Sequence, residues 1–166
     1  CTEMAFEDVA EGDELYDAIC ELWGTDVIHG KTANFFDFED VIRRDEASKI
    51  FTRWFGYVTV AYEDTPAAEG TFSDVEATDS LAYYVEVADG EGLVTGNTDS
   101  MEVDGEVVSE STFNPHDAIT AQEIADALKE ILGDNTAGEQ LDEDGYVSED
   151  SMTRGSFVEL LYGLSR

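Results

Sequence analysis

One stretch, Phe113-Asn114-Pro115-His116-Asp117-Ala118-Ile119-Thr120-Ala121-Gln122-Glu123, joins a turn directly to the start of a helix. Asn, Pro and Asp residues are typical of turns, because each favours a bent backbone by its own geometry or hydrogen bonding. The apolar residues that follow are spaced as on one face of a helix: Ile124, Leu128, Ile131 and Leu132. We therefore expect a turn at 113–117 and an amphipathic helix over 120–132.

The same pattern occurs earlier in the chain. Shifted back by 77 residues, the stretch and its helix correspond to Phe36, Asp40, Ile42, Glu46 and Gly56. Further upstream, a shift of 66 aligns Phe6, Asp8, Val9, Asp13, Leu15, Gly24 and Gly30 with Phe72, Asp74, Val75, Asp79, Leu81, Gly90 and Gly96. The 11-residue difference between the shifts indicates an insertion around residues 100–111, which is polar, contains glycine and predicts a surface loop.

A third, shorter copy lies another 33 residues along the chain. There Thr120, Ile124, Leu128 and Ile131 correspond to Thr153, Phe157, Leu161 and Leu164. The sequence therefore predicts two full modules, at 1–62 and 63–135, and a partial third at 136–166.

Each full module has the same predicted elements. A first helix is expected over 14–23 and 80–89, and a second over 43–55 and 120–132; the third module supplies a helix over 153–164. Weak alternation predicts short strands at 57–62 and 101–108. Gly30 and Gly96 end a tight connection, where we expect a positive φ.

These elements, in this order, resemble S-layer homology modules. The second module carries the resemblance in Phe72-Ser73-Asp74-Val75, Leu93-Val94-Thr95-Gly96, Phe113-Asn114-Pro115 and Ile119-Thr120-Ala121-Gln122-Glu123. The resemblance implies a mainly α fold, a helical bundle in which three modules have a pseudo-threefold arrangement, with short β segments. It also implies a non-catalytic role at the cell surface.

The resemblance further implies a site for an anionic cell-wall polysaccharide, bound by the arginine of a Thr-Arg-x-Glu segment. A guanidinium can offer such a glycan two parallel hydrogen bonds. The residues that match are Arg44 and Glu46 in the first module and Arg154 in the third, whereas Ala121 replaces the arginine in the second. The alternative for Arg44 is an ion pair at the helix start, with Asp45, Glu46 or a neighbour.

The charge is extreme: 40 acidic against 8 basic residues give a formal net charge of −32. Such a chain repels phosphate, so nucleic acid is excluded as a partner, and no apolar run is long enough to span a bilayer. Self-repulsion is relieved by salt. The composition therefore indicates a halophilic setting, with cation binding or an acidic habitat as alternatives.

Positive charge concentrates in one stretch, between residues 31 and 53. Its aromatic residues could anchor a contact with an acidic surface on another copy of the chain. We expect this assembly contact to use Lys31, Arg43, Lys49 and Arg53. The alternative is that these residues only balance nearby acids.

The two cysteines, Cys1 and Cys20, permit one disulfide, which we expect in an oxidising, extracellular setting. Lipidation of Cys1 is the alternative, and Cys20 could also be a plain core cysteine.

Asp142 and Asp144 precede Gly145 as in the centre of a calcium loop. However, the acidic end positions of such a loop fall on Gln140 and Ser151, so these aspartates are weak candidates for a calcium site.

No nucleophile motif or phosphate-binding glycine loop is present in the sequence, so we expect no enzyme. The sequence predicts an extracellular structural protein that assembles with copies of itself into a surface layer, sheath or filament. An anchor for cell-wall polysaccharide is the first alternative, and an acidic calcium-binding surface protein is the second.

Overall fold

The computed structural model describes residue 4, residues 6–59 and residues 70–165. Within them the chain forms six helices and one two-stranded antiparallel sheet: α1 (Tyr16–Gly24), α2 (Arg44–Trp54), α3 (Ala82–Gly90), β1 (Asn97–Val103), β2 (Glu106–Thr112), α4 (Ala121–Leu132), α5 (Thr136–Glu143) and α6 (Arg154–Leu164). The five predicted helices are confirmed to within two residues at each end. The fold is mixed rather than plainly α, because the helices are accompanied by the sheet.

The chain divides into two compact units. Residues 43–117 form one, which we call the inserted unit, and the segments 1–42 and 118–166 together form the other, the discontinuous unit. The second helix of the first predicted module, α2, therefore belongs to the same unit as the first helix of the second module, α3, against which it packs.

The core of the discontinuous unit includes three equivalent apolar residues of the repeat, each of which lies two residues before the first residue of a helix. Ile42, Ile119 and Met152 occupy equivalent positions of the repeat, and all three are buried. The Ile42 N–H donates to the Met152 carbonyl at 3.0 Å, and the Ile119 N–H donates to the Ile42 carbonyl at 3.2 Å. Around them α1 packs on α6, and α5 contacts both α4 and α6.

The insertion at 100–111 lies on the surface as predicted, but it forms a hairpin rather than a loop. Strands β1 and β2 pair in antiparallel register, with Met101 opposite Val108. Asp104 and Gly105 connect them with φ values of 54° and 85°, the two positive angles of a tight hairpin turn. The single strand predicted at 101–108 is thus two strands joined by this turn.

One predicted strand is not found among the described residues, and one helix was not predicted. Residues 57–59 form no strand, and residues 60–62 of that predicted strand lie outside the described residues. Helix α5 was missed, because only Ala137 and Leu141 are buried along its eight residues and no apolar stripe marks it in the sequence.

Gly30 and Gly96 are required for a different reason from the one expected. Neither has a positive φ. Instead, a Cβ at Gly30 would overlap the ring of Phe6, and a Cβ at Gly96 would overlap the ring of Phe72. The glycine of each module therefore lets the phenylalanine of its Phe-x-Asp-Val segment pack directly on the backbone.

Replacing Gly96 by alanine should lower the free energy of unfolding by about 2 kcal/mol, because the added methyl group overpacks the site against Phe72. Gly90→Ala is the matched control, since a Cβ there meets no atom within 4 Å. Urea denaturation compares the two variants. Equal stability of Gly96→Ala and Gly90→Ala would contradict this explanation.

Candidate functional site

Arg154, the first residue of α6, is buried by the loop that precedes the second helix of the first module. Its side chain is only 5% exposed. Nε donates to the Phe36 carbonyl at 3.0 Å, and Nη2 donates to the His29 carbonyl at 2.7 Å. The guanidinium carbon lies 4.8 Å from the centroid of the Phe36 ring. We call this arrangement of guanidinium, two carbonyls and ring an arginine clamp.

Arg44, the first residue of α2, forms the same clamp in the inserted unit. Nε donates to the Phe113 carbonyl at 2.9 Å, Nη2 donates to the Thr95 carbonyl at 2.7 Å, and the guanidinium carbon lies 4.8 Å from the Phe113 ring centroid. Phe113 and Thr95 are related to Phe36 and His29 by the shifts of 77 and 66 found in the sequence. The two clamps are therefore copies of one structural device.

Backbone hydrogen bonds reinforce both clamps. At α2 the N–H groups of Arg44 and Asp45 donate to the carbonyls of Asp117 and Pro115, at 2.9 and 3.0 Å. At α6 the corresponding bonds run from Arg154 to Asp40 and from Gly155 to Phe38, at 2.8 and 2.9 Å. The first N–H groups of a helix have no partner within the helix. Here the backbone carbonyls of a loop distant in sequence accept hydrogen bonds from them.

The aspartate of each Phe-x-Asp-Val segment holds the opposite side of the same loop. Asp8 accepts hydrogen bonds from the backbone N–H groups of Phe36 and Asp37, at 2.9 and 2.7 Å. Asp74 does the same for Phe113 and Asn114, at 2.8 and 2.7 Å. Sequence reasoning missed this role, although the recurrence of the aspartate two residues after a phenylalanine was the available signal.

The start of α4 has the same backbone hydrogen bonds to a loop, but it has no arginine. The Ala121 N–H donates to the Asp150 carbonyl at 2.8 Å, and the Gln122 N–H donates to the Ser148 carbonyl at 3.1 Å. Thr120 and Glu123 form a reciprocal capping box here. Three helix starts therefore share one backbone geometry, and two of them add a guanidinium.

The electrostatics of Arg44 fit a structural role. Desolvation lowers its pKa, while the negative charges of Asp117 and Asp74 act in the opposite direction. Arginine remains charged under these conditions, so the carbonyls and the ring compensate a buried cation. The polysaccharide site at Arg44, Glu46 and Arg154 remains a prediction, but both guanidiniums already donate to backbone carbonyls, and Glu46 accepts the Arg43 N–H at 3.1 Å.

The four residues expected at an assembly contact lie in both units, and each has a partner within the chain. In the discontinuous unit, Lys31 is hydrogen-bonded to Asp40 and lowers the pKa of that carboxyl. In the inserted unit, Arg53 is buried and donates to the Tyr84 hydroxyl, and the Lys49 ammonium lies 5.6 Å from the centroid of the same ring. The assembly contact remains a prediction. The Lys31 pair matches the alternative of local charge balance, whereas Arg53 and Lys49 contact a tyrosine.

Arg43, the fourth of these residues, makes a bidentate pair with Asp45. Its Nε and Nη2 lie 3.1 and 2.9 Å from the two carboxylate oxygens. Asp45 is only 2% exposed, and burial raises the pKa of its carboxyl, although Arg43 and the Glu46 N–H oppose this. His116 Nδ1 lies 3.3 Å from Asp45 Oδ2. Within the chain, the buried carboxylate of Asp45 therefore engages this guanidinium.

A groove lies beside each of the three helix starts. The groove beside α6 has a volume of 420 Å³ and is lined by five acidic residues: Asp8, Asp13, Glu14, Glu39 and Glu159. The groove beside α2, of 310 Å³, contains Asp45, Asp74, Glu76 and Asp79. Carboxylates on these walls disfavour an anionic glycan. The third groove, beside α4, has a volume of 180 Å³ and includes Ala121 and Tyr146.

The remaining predicted sites are the calcium site at Asp142 and Asp144 and the disulfide between Cys1 and Cys20. Asp142 and Asp144 are both exposed, and Asp144 accepts a hydrogen bond from the Gln140 amide at 3.1 Å. Among the described residues no group of three or more His, Cys, Asp or Glu side chains could hold a metal ion. Cys20 is half-buried in α1 and Cys1 lies outside the described residues, so the calcium site and the disulfide remain predictions.

Comparisons with known proteins add no identification. No protein-family model matches the sequence, and a search of curated proteins finds no match. In the part of the chain that the structure describes, no helix is both long and apolar enough to cross a membrane.

Arg154→Lys should lower the free energy of unfolding by about 3 kcal/mol, because an ammonium cannot reproduce the fork and leaves a buried carbonyl unsatisfied. Arg44→Lys should cost a similar amount. Lys129→Arg is the charge-conserving control on an exposed face of α4, and it should be neutral. Denaturant unfolding measures all three; an Arg154→Lys variant as stable as the parent would show that the fork is not structural.

Proposed function

We propose that this chain is a non-catalytic structural protein of the cell surface that assembles with copies of itself through a scaffold of S-layer-homology-like modules. The observation that carries the proposal is the hairpin β1–β2, which is an addition to the repeat and is exposed along most of its length. The cell-surface location rests on the resemblance stated for the sequence.

The hairpin presents a cluster of exposed apolar side chains. Met101, Val103 and Val108 share one face by strand alternation, and Val107 lies on the other face with 74% of its surface exposed. Apolar residues scattered singly on a surface need no explanation, whereas a contiguous patch is typical of an interaction site. The cluster therefore supports a contact with another protein.

The backbone of the hairpin supports pairing with a second copy. The sheet has two strands, so the outer edge of each strand has no neighbour within the sheet. Such an edge is a template for adding another strand, and the same edge on a second copy would be self-complementary. Five carboxylates on each hairpin oppose this contact in dilute buffer: Asp99, Glu102, Asp104, Glu106 and Glu110. Salt should therefore promote it.

The repeated contacts support the modular scaffold. The two arginine clamps, the two aspartates that hold their loops and the backbone bonds of three helix starts recur at the shifts of the sequence repeat. A pseudo-threefold arrangement of the modules is part of this proposal. Anchoring to an anionic wall polysaccharide has less support, because the matching arginines donate to backbone carbonyls and the grooves are acidic.

A triple variant, Met101→Ser, Val107→Ser and Val108→Ser, should remain monomeric in molar salt, whereas the parent should form larger species as salt is added. The matched control is Val147→Ser with Leu132→Ser, which removes exposed apolar side chains elsewhere. Sedimentation velocity in a salt series measures the particle mass, and electron microscopy shows whether it is ordered.

The two possible failures of this experiment are distinct. If the parent stays monomeric at every salt concentration, self-assembly is wrong. If the parent assembles and the triple variant assembles equally well, assembly occurs but the hairpin does not mediate it.

A further inference from the structure

We propose that the groove at the start of α4 binds a guanidinium group, the side chain of an arginine supplied by a ligand. The group would take the place that the chain's own arginines fill at the starts of α2 and α6. This inference is independent of self-assembly, because it rests on the repeat and on one cavity in the discontinuous unit.

The backbone at the start of α4 matches the two helix starts that hold a guanidinium. The paired N–H donors of Ala121 and Gln122 reach loop carbonyls at 2.8 and 3.1 Å, against 2.9 and 3.0 Å at α2 and 2.8 and 2.9 Å at α6. The loop that faces α4 therefore lies at the same distance as the loops that receive Arg44 and Arg154. Ala121 supplies a methyl group where they supply a guanidinium.

Of the three grooves found beside helix starts in the described residues, the one at α4 includes this position in its wall. The lining of its 180 Å³ groove includes Ala121 itself and Tyr146. At the other two helix starts the grooves are lined by neither the arginine nor the phenylalanine ring beneath it. Ala121, with its shorter side chain, therefore lies in the wall of the groove together with Tyr146.

Tyr146 supplies the recognition elements that the phenylalanines supply elsewhere. The shift of 33 that relates Asp117 to Asp150 and Pro115 to Ser148 also relates Phe113 to Tyr146. A tyrosine ring attracts a cation as a phenylalanine ring does, and the Tyr146 carbonyl corresponds to the Phe113 carbonyl that accepts from Arg44 Nε. Tyr146 is half-buried, so part of it is accessible to a ligand.

Negative charge near this groove favours a cationic ligand, and the analogy with the two clamps favours a planar cation. Asp142 lines the same groove, and a carboxylate pairs well with a guanidinium. The net charge of −32 raises the local concentration of any cation. A lysine ammonium lacks the planar fork with which Arg44 and Arg154 each reach two carbonyls while lying over a ring.

The test titrates arginine amide into the full chain and follows backbone and ring signals by NMR. We expect saturable shifts at Ala121 and Tyr146, and binding about tenfold tighter than that of lysine amide, which has the same charge without the fork. Tyr146→Leu should weaken binding about fivefold by removing the ring. The absence of saturable shifts at Ala121 and Tyr146 would overturn the proposal.

Ala121→Arg provides the decisive variant, since its own side chain should fill the site. It should abolish the shifts caused by arginine amide and raise the melting temperature by about 3 °C, whereas Ala121→Lys should do neither. If Ala121→Arg folds and still binds arginine amide as the parent does, the guanidinium does not bind where we place it. Should that variant fail to fold, the comparison of the parent with Tyr146→Leu decides: equal affinity would refute the site.

Discussion

A buried guanidinium that must find carbonyl acceptors is the constraint on which the rest of the structure depends. Removing such a charge from water costs several kcal/mol unless fixed partners replace the solvent. At Arg44 and Arg154 these partners are two backbone carbonyls and an aromatic ring, all supplied by loops 51 to 125 residues away in sequence. The loops must therefore keep one conformation.

This constraint explains the unusual backbone angles of two loop residues and the need for glycine at two other positions. Asp37 and Asn114 have left-handed φ values of 59° and 55°, so that the loop turns its amides toward Asp8 and Asp74 and its carbonyls toward the arginine. Gly30 and Gly96 lack a side chain so that a phenylalanine can pack against the backbone of the same module. A mutation at any of these positions should weaken the contacts of Arg44 or Arg154, at the start of a helix that is distant in sequence.

Contacts within each unit, among them the two clamps, engage much of the chain's scarce positive charge. Only eight basic residues face 40 acids, and Arg44, Arg53 and Arg154 are buried. Arg43 and Lys31 are paired with carboxylates of their own unit. Contacts based on backbone edges and apolar side chains, as on the hairpin, suit such a surface better than a basic patch, provided that salt screens the repulsion.

The sequence predicted five of the six helices in the described residues, and for α4 and α6 the start signals are local. Thr120 with Glu123 and Thr153 with Ser156 cap their helices within three residues. The hairpin turn was also visible as Asp104-Gly105, but the polar composition around it favoured a loop. The burial of the arginines could not be predicted, because Arg44 has acidic neighbours at 45 and 46 that predict an ion pair equally well, while its real acceptors are distant.

The most direct test of this account is the hydrogen exchange of arginine Nε–H groups, followed by NMR in the folded protein. The clamps predict that the Nε–H groups of Arg44 and Arg154 exchange much more slowly than that of Arg43, whose side chain is 38% exposed. They also predict that the Arg44 signal exchanges faster when Asp74 is lost and that the Arg154 signal exchanges faster when Asp8 is lost. Exchange of Arg44 and Arg154 as fast as that of Arg43 would contradict the account, because burial between two carbonyls and a ring would then protect Nε–H no better than the ion pair of a partly exposed arginine.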